Sequence, residues 1–274
     1  MGVRARCPYS HRSSSIVYGR SSTCRPAAVQ SRPCPGPLTW TTSLTYVLIA
    51  AAFCPHPPLL VPELAAGAAP ELASLRAACG AALDRLLAAA PAQICVLGTG
   101  PSTQRSEGCG SLIGYGLDRR FALGPAGGSA DLPLSLTVGA YLLAGREADG
   151  VIGQSVHEHA PPAACARLGR SLAARERLGL LVMGDGSARR TTEAPGAFDE
   201  RATPFDADVA RMLGSADTAG LLELDQRLAQ DVLAAGRAAW QVAASAASEP
   251  LTADLLYDDD PYGVGYFVAT WLAA

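Results

Sequence analysis

The chain holds 4 histidines, and three of them follow apolar runs in segments that also carry proline, glycine or acidic residues. His56 lies in Pro55-His56-Pro57-Pro58-Leu59-Leu60-Val61-Pro62-Glu63, where prolines on both sides restrict the backbone and would hold an imidazole in one orientation, as a metal ligand requires. His157 and His159 flank Glu158; in an extended segment residues two apart point to the same side, so both imidazoles could face one cleft. Two histidines and a carboxylate are the ligand set of ferrous iron sites that leave positions open for substrate and oxygen. The cluster Asp258-Asp259-Asp260 could supply the carboxylate. The competing role for that acidic run is to cap a following helix, where carboxylates meet free N–H groups and the positive dipole end.

A second polar constellation is Gly184-Asp185-Gly186-Ser187-Ala188-Arg189-Arg190. Asp185 and Ser187 are candidates to line a site, and the two arginines suit a substrate carboxylate or a solvated helix end. Two familiar chemistries fit badly. Gly153-Gln154-Ser155-Val156-His157 lacks the last glycine of a hydrolase nucleophile elbow. Gly98-Thr99-Gly100 lacks the third glycine of a dinucleotide fingerprint.

The elements that must position these residues alternate. Apolar runs at 46–53, 93–97, 151–155 and 178–183 read as buried strands. Stretches 70–90, 134–147, 161–177, 205–213 and 219–247 read as helices, the last divided near Leu224, and a final helix is expected over 263–273. The glycine-rich stretch 98–128 reads as loop with a hairpin. Strands apolar along their whole length, separated by helices, predict an α/β fold: a mainly parallel or mixed central sheet with helices on both faces. Ligands of such sheets bind outside the carboxyl ends of the strands, and four polar segments, 54–58, 98–102, 156–159 and 184–187, fall at such ends, where they could converge on one cleft.

Composition narrows the chemistry further. All 22 basic residues are arginine, so Schiff-base, pyridoxal phosphate and Walker-type phosphate sites are excluded, since each needs a lysine amine. Asparagine is absent too, which removes N-glycosylation sequons and a Cys-His-Asn triad. A net charge of −3 disfavours a basic nucleic-acid face. Residues 1–45, rich in serine, arginine and proline, read as a disordered leader before a domain spanning 46–274. The run 44–54 is too short to span a bilayer, which takes about 20 residues. Ala51-Ala52-Phe53-Cys54 makes a poor lipoprotein box, because Phe53 is bulky and the preceding segment long. The 8 cysteines, with no C-x-x-C pair, fit small apolar thiols in a reduced cytoplasm.

Pro55 to Glu63, Gly184 to Arg189, Phe205-Asp206 and Asp260-Pro261-Tyr262-Gly263-Val264-Gly265-Tyr266, taken in order, resemble the class III extradiol dioxygenase superfamily of the LigB type, with the Memo-like proteins as relatives. That resemblance implies the α/β fold of a LigB-type catalytic subunit and a non-haem Fe(II) centre of two histidines and an acid. It also implies an acid/base histidine, an aromatic diol as ligand, and a homodimer or a second subunit as partner. His56 matches the first metal ligand. At the second, this chain has Gly100-Pro101-Ser102, and where the acid/base histidine is expected it has Ala188. Two functions follow as expectations. One is a weak or inactive relative that keeps a cleft for a small molecule or a protein. The other is an active ring-opening dioxygenase in which His157 or His159 substitutes for the missing imidazole and Asp259 completes the set.

Overall fold

The computed structural model describes residues 48–124, 130–148, 150–248 and 250–274. The expected leader, with Cys7, Cys24 and Cys34, and the first two residues of the expected first strand lie outside these residues. Along the chain run β1 (Leu48–Cys54), α1 (Pro62–Ala65), α2 (Ala73–Ala88), β2 (Gln93–Gly100), β3 (Gln104–Ser106), β4 (Gly108–Ser111), β5 (Arg120–Leu123) and β6 (Ala130–Asp131). There follow α3 (Leu134–Leu143), β7 (Ile152–His157), α4 (Pro162–Ala173), β8 (Leu178–Met183) and α5 (Ala202–Ser215). The chain ends with α6 (Thr218–Leu222), α7 (Gln226–Asp231), α8 (Arg237–Ala246), β9 (Leu251–Asp259) and β10 (Tyr266–Ala273).

The fold is α/β. Its main sheet has the order β3-β7-β2-β8-β1-β10-β9, and a small sheet has the order β5-β4-β6. β7, β2, β8 and β1 run parallel; β3, β10 and β9 are antiparallel to their neighbours. Because successive side chains of a strand point to opposite faces, β1 feeds two cores. Ala51 and Phe53 pack with α4, α5 and α8, whereas Ala50, Ala52 and Cys54 pack with α2 and α3. Burial on both faces explains why these strands are apolar throughout rather than alternating.

The chain terminus departs from expectation. Residues 266–273 form a strand, not a helix, lying antiparallel to β1 and to β9. Tyr266, Phe267, Val268, Thr270 and Trp271 are β-branched or aromatic and all buried, which suits a pleated strand covered on both faces. A continuous apolar run carries no period that separates the two structures. The helix-capping role for the aspartates falls with that helix, since Asp258 and Asp259 are the last residues of β9. The stretch 219–247 divides near Leu224 as expected and again between Asp231 and Arg237, α6 and α7 being capped by the carboxylates of Asp217 and Asp225.

Candidate functional site

The exits of β1 and β8 are neighbours. Cys54 pairs with Met183, and the Gly184 N–H donates to the Cys54 carbonyl at 3.0 Å. His56 and Asp185 therefore meet. The Asp185 carboxylate accepts the His56 backbone N–H at 2.7 Å, and the same oxygen lies 3.4 Å from His56 Nδ1. His56 is buried, and its Nδ1 has no hydrogen-bond partner. Tyr266, the first residue of β10, is buried nearby; burial and the Asp185 charge raise its phenol above the usual range, so it stays protonated.

Beyond Asp185 the loop threads between two other segments. Gly186 N–H donates to Gly265 O, Gly265 N–H to Ser187 O, and Ala188 N–H to Val232 O. Glycine is required at 186, because a Cβ there would sit 2.7 Å from the Phe267 ring and 2.8 Å from Asp206 Oδ1. Asp206, brought in by α5, receives the Ser187 N–H at 2.8 Å and the Ser187 hydroxyl at 2.6 Å. Ser187 is wholly buried with its hydroxyl committed to this bond, so it holds the loop rather than acting as a nucleophile. Burial pushes the Asp206 carboxyl up to about 6, against the opposing pull of the Ser187 donors and Arg190. Arg190 Nε lies 3.9 Å from Asp206 Oδ2 and 3.2 Å from Asp260 Oδ2.

Asp260, rather than Asp259, thus joins the arginine. Asp259 is exposed and accepts the N–H of Asp260. Burial raises the carboxyl of Asp258, and Arg190 opposes the rise. Ala188 is half-buried beside Arg189. A cavity of about 380 Å³ adjoins this group, lined by Thr191, Glu193, Asp260, Pro261, Tyr262 and Gly263.

The other histidines stand elsewhere. His157 ends β7 opposite Gly100 of β2, and β2 and β8 separate it from β1, a lateral displacement of roughly 14 Å at about 4.8 Å per strand. Its backbone N–H donates to Thr103 Oγ1, and its Nδ1 accepts the His159 N–H at 3.0 Å. His159 is exposed, its ring edge-on to His157. Among the described residues no three His, Cys, Asp or Glu side chains are placed to hold a metal ion. The described residues do not assemble an iron-ligand set, since His56 faces the Asp185 carboxylate and the nearest other imidazole among them is three strands away.

Sequence reasoning offered Arg190 a substrate carboxylate or a solvated helix end, noted Asp206 and Asp260 only within short motifs, and missed Arg237. Arg237 is buried and ties the loop after β7 to α8, donating to Glu158 O and Ala160 O, both at 2.7 Å, and to Gln241 Oε1 at 3.0 Å. Its signal was present, as the one charge in the alanine-rich segment 234–247.

Together these features define an α/β protein with a mixed sheet in which the adjacent exits of β1 and β8 bring His56 to Asp185. Compared with known proteins, the chain matches no family model and no curated protein. Among solved structures it is similar to the uncharacterized protein JW3007 from Escherichia coli K12, at 16% identity and a TM-score of 0.47, over 82% of this chain and 100% of that one. Among the described residues no helix is long and apolar enough to cross a membrane.

Proposed function

We propose that the chain is a class III extradiol dioxygenase-like protein of the cytoplasm that has kept the cleft at the exits of β1 and β8 for a small aromatic ligand and has lost iron-dependent ring opening. The observation that carries this reading is the environment of His56. The one matched imidazole is turned to Asp185, while Ser102 and Ala188 occupy the positions of the other two. What remains is suited to binding. His56 Nδ1 and Arg190 Nε are both buried without a hydrogen-bond partner, and a polar ligand group would satisfy them. Asp206 and Asp260 hold Arg190 in place, and Tyr266 offers a phenol O–H that stays protonated at neutral pH.

The orphaned His56 Nδ1 also favours a second reading, an active Fe(II) dioxygenase, because a metal ligand must keep a nitrogen free. Anaerobic reconstitution with ferrous iron, followed by metal analysis and oxygen uptake on a panel of catechols, separates the two. The expected result is iron well below one equivalent and no ring-opened product, with catechol binding weakened in His56→Ala. Stoichiometric iron and ring-opened product, both lost in His56→Ala, would establish the second reading instead.

A further inference from the structure

A second cavity, of about 330 Å³, opens where α2, α3 and β5 meet, and shares no lining residue with the cleft cavity. Its walls include Arg76 and Gly80 of α2, Phe121 of β5, Tyr141 of α3, and Arg119 and Arg146. Three guanidinium groups around one small volume repel each other unless anions intervene. Two carboxylates do so. Arg119 Nη1 pairs with Glu63 and Arg146 Nη1 with Asp84, each through a single nitrogen that leaves the rest of the fork unused. Arg76 has no carboxylate among the described residues. Its Nη2 donates to the Ala69 carbonyl, and its Nη1 is buried with no partner at all. A buried guanidinium donor without an acceptor is costly, and one surplus positive charge remains at the cavity.

Gly80 points the same way from an independent direction. A glycine inside a helix costs about 1 kcal/mol relative to alanine, and Gly80 sits in the middle of the 16-residue α2. Packing does not demand it, because the nearest heavy atom to a Cβ at this position would be Arg146 Nη2 at an ordinary 3.7 Å. The missing side chain leaves room beside a guanidinium. The remaining wall is aromatic: Arg119 lies over the Phe121 ring at 5.3 Å, and Phe121 meets Tyr141 edge-on with centroids 5.4 Å apart.

We propose that this cavity is a binding site for a small aromatic carboxylic acid, its carboxylate received by Arg76 between Arg119 and Arg146 and its ring resting on Phe121 and Tyr141. A planar carboxylate matches the guanidinium fork and supplies the acceptor that Arg76 Nη1 lacks. The apolar aromatic wall adds ring contacts that an inorganic anion cannot use. Burial raises the Tyr141 phenol above its ordinary range, which keeps its O–H available as a further donor.

Calorimetric titration of the full chain with benzoate, inorganic phosphate and chloride at matched ionic strength tests the assignment. Benzoate should bind saturably with one site, at least tenfold tighter than phosphate and with no comparable response to chloride. Arg76→Gln should weaken benzoate at least tenfold. Gly80→Leu, which fills the cavity beside Arg146 without removing a charge, should abolish binding while circular dichroism reports an intact fold; it decides the matter if Arg76→Gln does not fold. Arg211→Gln, outside this cavity, should leave benzoate affinity unchanged. Phosphate binding as tight as benzoate, or benzoate binding that survives Gly80→Leu, would overturn the proposal.

Discussion

Ser187 and Asp206, 19 positions apart, are joined by two hydrogen bonds that occupy both carboxylate oxygens, the Ser187 N–H on Oδ1 at 2.8 Å and the Ser187 hydroxyl on Oδ2 at 2.6 Å. The pair fastens the loop after β8 to α5 and fixes how Arg190, three residues further on, meets Asp260. Removing the Ser187 hydroxyl leaves Asp206 Oδ2 buried without that donor, while the Ser187 N–H stays on Oδ1. Ser187→Ala is therefore expected to cost about 1–3 kcal/mol, the penalty for an unmet buried polar atom, which urea unfolding will measure. It should also raise the Asp206 carboxyl further, since the Ser187 donors are what hold it down.

Asp206 gives the stability a definite pH dependence. Its carboxyl titrates near 6 in the folded chain against the ordinary 3.8, so between these values the folded state holds the proton longer than the unfolded state does. Stability contributed by the protonated form is thus present below about pH 4 and is lost as pH rises through about 6, a change of about 3 kcal/mol. Asp206→Asn cannot titrate and should lack this fall. Urea unfolding of both proteins from pH 4 to 7 checks it: their difference should grow with pH in favour of the variant, and parallel profiles would contradict the assignment.

Gly186→Ala tests how tightly the loop is held. The added Cβ would come within 2.7–2.9 Å of the Phe267 ring, Asp206 Oδ1 and Gly265 O, and two of these three belong to backbone or to a doubly bonded carboxylate that cannot yield. A loss of about 1–3 kcal/mol is expected from overpacking. The glycine doublet around Asp185 is therefore a packing device. Gly80→Ala, in a helix with open space at that position, should instead stabilise by up to about 1 kcal/mol.

The parallel strands β2, β7 and β8 were legible because burial on both faces makes them uniformly apolar, and turn residues bound each run. The same uniformity hid β10, where nothing local separates a covered strand from a covered helix; only the pairing of Ala269 with Phe53, more than 200 residues away in sequence, decides it. At the site, His56 and Asp185 were recognisable from their proline and glycine neighbours, but their contact depends on β8 inserting between β2 and β1. That strand order also carries His157 away from His56. A sequence lists strand exits without their order, so of four exits that looked convergent β1 and β8 are neighbours, β2 lies on the far side of β8, and β7 lies beyond β2.

Arg237 supplies a prediction about that distant exit. Its guanidinium satisfies two carbonyls of the loop that carries His159, and lysine at this position offers a single nitrogen where three acceptors are spaced for a fork. Arg237→Lys should cost about 2 kcal/mol and speed amide exchange of residues 157–160 while leaving the β1 and β8 exits protected. Uniform loss of protection across the sheet would show instead that the arginine supports the whole core.

The cysteines offer a test of β1 itself. Cys54 is buried at the end of β1, hydrogen-bonded with Cys79, and both that bond and burial push its thiol well above the ordinary range. Cys95 is pushed up to about 12 by burial, and burial raises Cys165 as well. The thiolate is the reactive form, so all three should resist alkylation in the native protein, as should buried Cys79. Cys109, half-buried on β4, is the exception among the described cysteines. Iodoacetamide treatment at pH 8 followed by peptide mass analysis should label Cys109 at least tenfold faster than these four, and urea should erase the difference. The same spectra address Cys54 as a lipid anchor. Cleavage before Cys54 would strip β8 and β10 of the strand between them, so the native protein should yield an intact peptide running through Phe53 and Cys54, and a lipid-modified Cys54 would refute this placement of β1.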